Sequence, residues 1–377
     1  MEGHRETSAA RRTDFLRTLP PTPSTSMKNL AAGMLTADLS ASLRCVCHPS
    51  PIHLLLEDTL MPILLNVGVD VGKDTLVVAC AENHFPVHNV PNQRGPLLAW
   101  LKSLPSGSRI GLESTGHYHE LLADLAQTHG YCVFLLNPRE TRHYAKAMGN
   151  RAKTDRVDAV LIARLIAQEH TRLRAYMPPT ATQRKLDRMI RRRATIVRLK
   201  GTLKLTMRNL GGFATELKAV VARLDALLAK MDRTMAAMAA ESPHHQAAQH
   251  RVETIVGVGP LVGIALTNTL ERVPFRTADA FVAFTGFDPR ANDSGHRVGR
   301  RRLSKRGPAE LRRLPYNAAM SAIKTTVWKP IYEQYRTRGW SMTATLVIIA
   351  RKIARTAWSI HHYHTTFNPE RITQCLT

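Results

Sequence analysis

The stretch LLNVGVDVGKDTLVVAC at residues 64–80 restricts the fold more than any other part of the chain. Its β-branched residues cluster around Gly68 and Gly72, which reads as a buried hairpin with Asp70 at its mouth. RIGLES then puts Glu113 at the end of a second strand. In KTDRVDAVLIARLIA the apolar positions recur at helical spacing behind a candidate N-cap, Thr154, so Asp155 and Asp158 share one helix face. Both carboxylates also suit a helix N-terminus electrostatically. Taken singly, each of these acids is ordinarily a cap or a solvated charge. Their joint order, strand Asp, strand Glu, helix Asp pair, fits a hard cation such as Mg²⁺ or Mn²⁺ held by oxygen ligands. Two such ions about 4 Å apart stabilise the attacking and the leaving oxygen of a phosphodiester.

Charge locates a partner. Of the net +24, residues 61–170 contribute +1 and residues 171–377 contribute +23, so a nearly neutral carboxylate segment precedes a polycation. That imbalance favours nucleic acid, since each phosphate neutralised releases counterions. No run reaches the length of a membrane span, and the N-terminus lacks the apolar core of a signal peptide. Five scattered cysteines, Cys45, Cys47, Cys80, Cys132 and Cys375, suit a reducing cytoplasm. Cys45-Val-Cys47-His48 has half the ligands of a zinc site with no second pair at ligand spacing, and His361, His362 and His364 form a similarly incomplete set.

Five segments are expected. Residues 1–60, rich in Ser, Thr, Pro and Ala, read as disordered or as a non-native extension, with Met61 an alternative start. Residues 61–170 read as a three-layer α/β domain with helices near 95–104 and 117–129 and the strand YCVFLLN. Residues 171–245 read as a basic helical, coiled-coil segment in which Leu186, Ile190, Val197 and Met207 form an interrupted apolar stripe. Ten Lys and Arg face one acid between Arg184 and Arg208, which makes Arg191, Arg192 and Arg193 candidates for nucleic-acid contact, with solubility alone as the other account. After a linker around ESPHHQ, residues 246–365 read as a mainly α C-terminal domain, followed by a tail over 366–377. In it Gly257, Gly259 and Gly263 suggest a helix–hairpin–helix-like turn that either holds a phosphate through backbone amides or simply packs.

The densest charge lies in GFDPRANDSGHRVGRRRLSKRGPAELRR. Ser294 stands there between Asp293 and Gly295, with His296, Arg297, Arg300, Arg301, Arg302, Lys305 and Arg306 beyond it. A serine hydroxyl is a poor nucleophile without a base, a metal or electrostatic help, and guanidinium groups supply the last to a phosphorane.

With VGVDVGKD, LESTGHYHELL, NPRETRHYAKAMGNRAKTDRVDAVLIARL, TIVGVGP and the serine segment in that order, residues 61 to about 360 resemble the DEDD transposases of a bacterial insertion-sequence family, the bridge-RNA-guided recombinases. The resemblance implies an RNase H-like (RuvC-like) α/β domain whose metal-binding acids fall on Asp70, Glu113, Asp155 and Asp158, and a second domain whose catalytic serine falls on Ser294. It also implies DNA ends and target DNA as substrates, a structured guide RNA, and a nucleoid-associated place in a bacterial cytoplasm; because each duplex needs two strands exchanged, a dimer or tetramer is expected. Pro308 and Pro315, in a stretch expected to be helical, depart from the pattern. Rival readings are a RuvC-like nuclease or junction resolvase using the four acids alone, an inactive nucleic-acid-binding protein, and an actin-like or sugar-kinase ATPase suggested by GVDVGKD. The last is opposed by the missing later phosphate loops and the charge.

Overall fold

The computed structural model describes residues 64–82, 86–114, 116–150, 154–291, 293–295, 299 and 301–373. The expectations for residues 1–60, Cys45-Val-Cys47-His48, Cys375, His296, Arg297 and Arg300 lie outside the described residues.

Val67, Val69 and Val71 are buried along β1 (Asn66–Val71), alternating with Gly68 and Asp70, as the period of two in a strand requires. A turn closed by the Gly72 amide donating to the Thr75 carbonyl at 3.1 Å returns the chain as β2 (Thr75–Cys80), antiparallel, with Asp70 opposite Val77. β3 (His88–Pro91) pairs antiparallel with β2. Helix α1 (Arg94–Lys102) leads into β4 (Arg109–Glu113), parallel to β1, and α2 (Glu120–Thr128) leads into β5 (Cys132–Leu136), parallel to β4. The sheet order is β3-β2-β1-β4-β5. Leu97, Trp100 and Leu101 of α1 and Leu122 of α2 bury against Val67, Val69, Ile110, Leu112 and Val133 on one face. Phe134 and Leu136 turn to the other face, where they meet Ile162, Leu165 and Ile166 of α4 (Asp155–Glu169). Between β5 and α4 lies α3 (Pro138–Ala147). The expected three-layer α/β segment is thus present, with element ends shifted by a few residues.

Among the described residues after α4 the elements are helices, apart from one short hairpin. α5 (Ala181–Thr206) opens with a capping box, Thr180 and Gln183 each bonding the other's backbone amide. Its first turns are fastened to α2: the Arg184 guanidinium bonds Asp124 at 2.8 Å and Glu120 at 3.1 Å, Arg188 also pairs with Glu120, and Tyr176 donates to Asp124 at 2.8 Å. α6 (Ala214–Ala240) packs back along α5, cross-linked by Arg193 to Asp232 and Lys200 to Asp225.

At the base of this helical hairpin Leu186, Ile190, Met235 and Met238 enter a large helical core. That core also takes in α7 (Pro243–Glu253), α8 (Pro260–Arg272), α9 (Ala278–Thr285), α10 (Ala309–Ala322), α11 (Lys329–Thr337) and α12 (Met342–Tyr363). Ile372 of α13 (Glu370–Thr373) completes it, so part of the expected tail is packed.

Two expectations change. ESPHHQ is no linker: Ser242 caps α7 and Pro243 fills its first turn, where a missing N–H costs nothing. Of the three glycines, Gly263 lies inside α8, while Gly257, at φ +97°, is pressed on α10, where a Cβ would meet that of Ala322 at 2.6 Å. The Val256 carbonyl in the same turn accepts from the Trp328 indole at 2.9 Å, so this side of the turn packs, while Gly259, the N-cap of α8, has open space around it. Pro308 precedes α10 as its N-cap, and Pro315 sits buried within it. Among the described residues no helix is long and apolar enough to cross a membrane.

Candidate active site

Gly68 and Asp70 point to the α4 face of β1. The helix crosses so closely that a Cβ on Gly68 would lie 2.1 Å from the Ala159 carbonyl oxygen and 2.2 Å from the Ala163 amide nitrogen. That crossing point lies four residues into α4, so its first turn, with Asp155 and Asp158, overhangs the Asp70 end of β1. The parallel register sets Gly68 beside Gly111 and Val69 beside Leu112, which brings Glu113 level with Asp70 at the neighbouring strand end. Gly111 faces Ile162 and Ile166 of α4, so Glu113, two residues on, shares the α4 side.

Electrostatics report the convergence. Partial burial first, then the charges of Asp155, Asp158 and Glu113, push the Asp70 carboxyl up from 3.8 to about 6. Thr154 caps α4 by accepting from the Val157 amide at 3.3 Å, and the helix N-terminus offsets part of the crowded negative charge. The donor set is all oxygen and fits a hard divalent cation in chemistry. Its spacing is loose: among the described residues no three His, Cys, Asp or Glu side chains are gathered tightly enough to hold an ion as they stand.

Ser294 is exposed, in the loop between β6 (Pro289–Arg290) and β7 (Arg302–Leu303). Its neighbour Asp293 folds that loop, accepting from the Arg301 guanidinium at 2.5 Å and from the Gly299 amide at 2.9 Å, which hold its carboxyl below the usual range. Below the loop the stem is firmly built. Ser304 is buried and donates to Asp288, and Arg312 donates to the Thr285 and Gly307 carbonyls at 3.1 and 3.2 Å. Lys305, between them, takes φ +52°, a left-handed conformation costing a non-glycine residue about 1 kcal/mol.

The basic candidates divide. Arg192, Arg302, Lys305 and Arg306 are exposed. Arg191 pairs with Asp187 on its own helix, Arg301 with Asp293, and Arg193 bonds Asp232 at 2.5 and 2.9 Å, which commits its charge to the helical hairpin. Of the three histidines His361, His362 and His364, His362 stacks on Trp358 and His364 caps α12.

Sequence reading missed Thr141. Its hydroxyl donates to Glu113 at 3.0 Å from the first turn of α3, a helix whose start was signalled by Asn137-Pro138, with Asn137 accepting from the Arg139 amide at 2.9 Å.

Comparison with known proteins adds a family. Residues 67–210 match the DEDD transposase domain of the IS110 type, and residues 249–336 match the transposase IS116/IS110/IS902 family. The chain is 34% identical over 135 residues to the pilin gene-inverting protein of Moraxella lacunata, spanning 34% of this chain and 41% of that relative's length. It is 23% identical over 348 residues to a probable family 20 transposase of Pseudomonas aeruginosa, covering 81% of this chain and 99% of the relative. It is equally identical over 345 residues to the transposase for insertion sequence element IS1328 of Yersinia enterocolitica, covering 82% of this chain and the whole relative.

Proposed function

The chain belongs to the IS116/IS110/IS902 transposases, and from that membership we propose that it is a DNA recombinase that cuts and rejoins strands through a covalent serine–phosphate link. The observation that carries the reading is the Asp70 carboxyl, raised by burial first and then by three acids that arrive from a neighbouring strand and a helix more than forty residues away in sequence. Burial and neighbouring like charge disfavour the ionised carboxylate, and a cation at the site relieves both. The sheet order, with β2 alone antiparallel, supports an RNase H-like (RuvC-like) reading of this domain.

In the proposed step Ser294 Oγ attacks a DNA phosphorus. The bond to the 3′ oxygen breaks, the serine proton is given up, and the 3′ oxygen takes one. Attack by a 3′ hydroxyl on the phosphoserine reverses the sequence and joins a new strand without ATP. Asp70, Glu113, Asp155 and Asp158 would hold Mg²⁺ or Mn²⁺, which supplies charge neutralisation at the phosphate. Arg302, Lys305 and Arg306 carry backbone phosphate toward the serine loop. The pilin gene-inverting and transposase relatives support DNA ends as the substrate. A structured guide RNA and a homo-oligomer, acting in a bacterial cytoplasm, complete the proposal.

Ser294→Ala tests it: loss of covalent protein–DNA adduct and of strand transfer is expected, and unaltered adduct overturns the nucleophile. The exposure of Ser294 on a loop favours one competing reading, hydrolysis by the four acids alone, under which the same variant would cut DNA at the wild-type rate.

A further inference from the structure

Three consecutive residues at the start of α3 reach both halves of the proposed site. Thr141 Oγ1 donates to Glu113 Oε2 at 3.0 Å. On the other side Arg139 Nη1 donates to the Lys305 carbonyl at 3.4 Å, and Glu140 faces the Arg306 guanidinium at 3.9 Å. Lys305 and Arg306 belong to the stem directly below the serine loop, 166 residues beyond Arg139. We propose that this first turn is the strut that seats the serine hairpin against the carboxylate cluster, with Thr141 as the positioning residue for Glu113 and Arg139 as the positioning residue for the hairpin stem.

The strut is stiff where it must be. Asn137 caps it, Pro138 fixes its first backbone angle, and the Ser114 amide and hydroxyl both bond the Leu136 carbonyl, at 3.0 and 2.9 Å. The end of β4, the end of β5 and the start of α3 are therefore tied to one another by hydrogen bonds. Its contacts to the hairpin are poor choices for stability alone. The 3.4 Å hydrogen bond is long, the 3.9 Å ion pair is exposed, and Arg139 sits close enough to Arg312 that burial and this like charge together lower the Arg312 guanidinium below its ordinary value. The Lys305 carbonyl is presented from a left-handed residue. Their interest is their place: one helical turn touches both a metal-type carboxylate and the stem of a nucleophile-bearing loop.

The inference rests on the serine-and-carboxylate reading above, and its test separates the two. In protein without DNA, Mn²⁺ is titrated while the melting temperature is followed. In protein with element-end DNA, adduct and strand transfer are measured against Mn²⁺ concentration. Thr141→Val is expected to raise the Mn²⁺ concentration needed in both assays about tenfold, with Thr141→Ser restoring it. Arg139→Ala is expected to leave the Mn²⁺ melting shift unchanged and to cut adduct yield about tenfold, with Arg139→Lys recovering part. A Thr141→Val protein with wild-type Mn²⁺ dependence, a Thr141→Ser protein as impaired as Thr141→Val, or an Arg139→Ala protein with wild-type adduct yield overturns the strut. If Ser294→Ala still forms adduct, the serine reading fails instead, while the Mn²⁺ melting shift still reports on Thr141.

Discussion

Gly68 on β1 and Ala163 on α4 meet with no space for a side chain between them, since a Cβ on Gly68 would lie 2.2 Å from the Ala163 amide nitrogen. This contact sets the height of α4 above the sheet and with it the position of Asp155 and Asp158 over Asp70. Gly68→Ala should push the helix away, destabilise the protein by about 3 kcal/mol, and weaken divalent-cation binding. Calorimetry with and without Mn²⁺ measures both; an alanine variant with wild-type melting and wild-type Mn²⁺ response would refute the close crossing.

Asp70 predicts a pH dependence. Its carboxyl titrates near 6 in the folded protein against 3.8 unfolded, so the native state binds the proton more tightly. The stability this lends to cation-free protein is fully present below about pH 4 and is lost as pH rises through about 6. Groups held low, such as Glu120 and Glu271, slope the other way, so the difference between wild type and Asp70→Asn is the quantity to follow. Divalent binding competes with the same proton and should strengthen up to about pH 6 and level off above it. A flat difference across pH 4–7 would exclude the crowded carboxylates.

Arg184 fastens α5 to α2 through Asp124 and Glu120, and its side chain is only 18% exposed. Removing it strands two half-covered carboxylates. Arg184→Ala should cost about 2 kcal/mol, with Arg184→Lys recovering part, read from urea unfolding of the full chain.

Asp293 ties the serine loop through Gly299 and Arg301. Asp293→Ala should leave the melting temperature unchanged, because the loop is exposed, and lower the adduct-forming rate about tenfold by freeing the loop. Equal rates in the two proteins would remove the role of that carboxylate.

Leu199, Leu205, Leu210, Phe213, Val220 and Leu227 stand exposed on the outer half of the α5–α6 hairpin. If they act together as one apolar patch, they suit the homo-oligomer contact proposed above. On the proposed homo-oligomer, Leu205→Glu with Phe213→Glu should weaken self-association in sedimentation experiments while leaving helix content intact; unchanged association would remove this face from the proposal.

Much of this was legible in the chain because it is local. Valine alternation gave β1, the Thr154 cap and apolar spacing gave α4, and the same periodicities put Asp70 beside a strand end and Asp155 and Asp158 on one helix turn. Charge bookkeeping separated a neutral segment from a basic one. Helix boundaries were less legible where one residue type serves two purposes. Proline at 243 begins a helix that composition suggested was a linker, and Gly257 packs on α10 where the pattern also allowed a phosphate turn.

The sequence by itself therefore determined which acids and which serine are candidates, and in what kind of element each sits, because those follow from side-chain type and from periods of two and 3.6 residues. Only the tertiary structure decided that Arg193 is committed to Asp232, that α4 rests directly on Gly68, and that α3 touches Glu113 and Lys305 at once. Those contacts join residues up to 166 positions apart. No local preference encodes such a meeting; it is fixed when whole elements bury their apolar faces and the polar groups at their ends find the partners that packing leaves within reach.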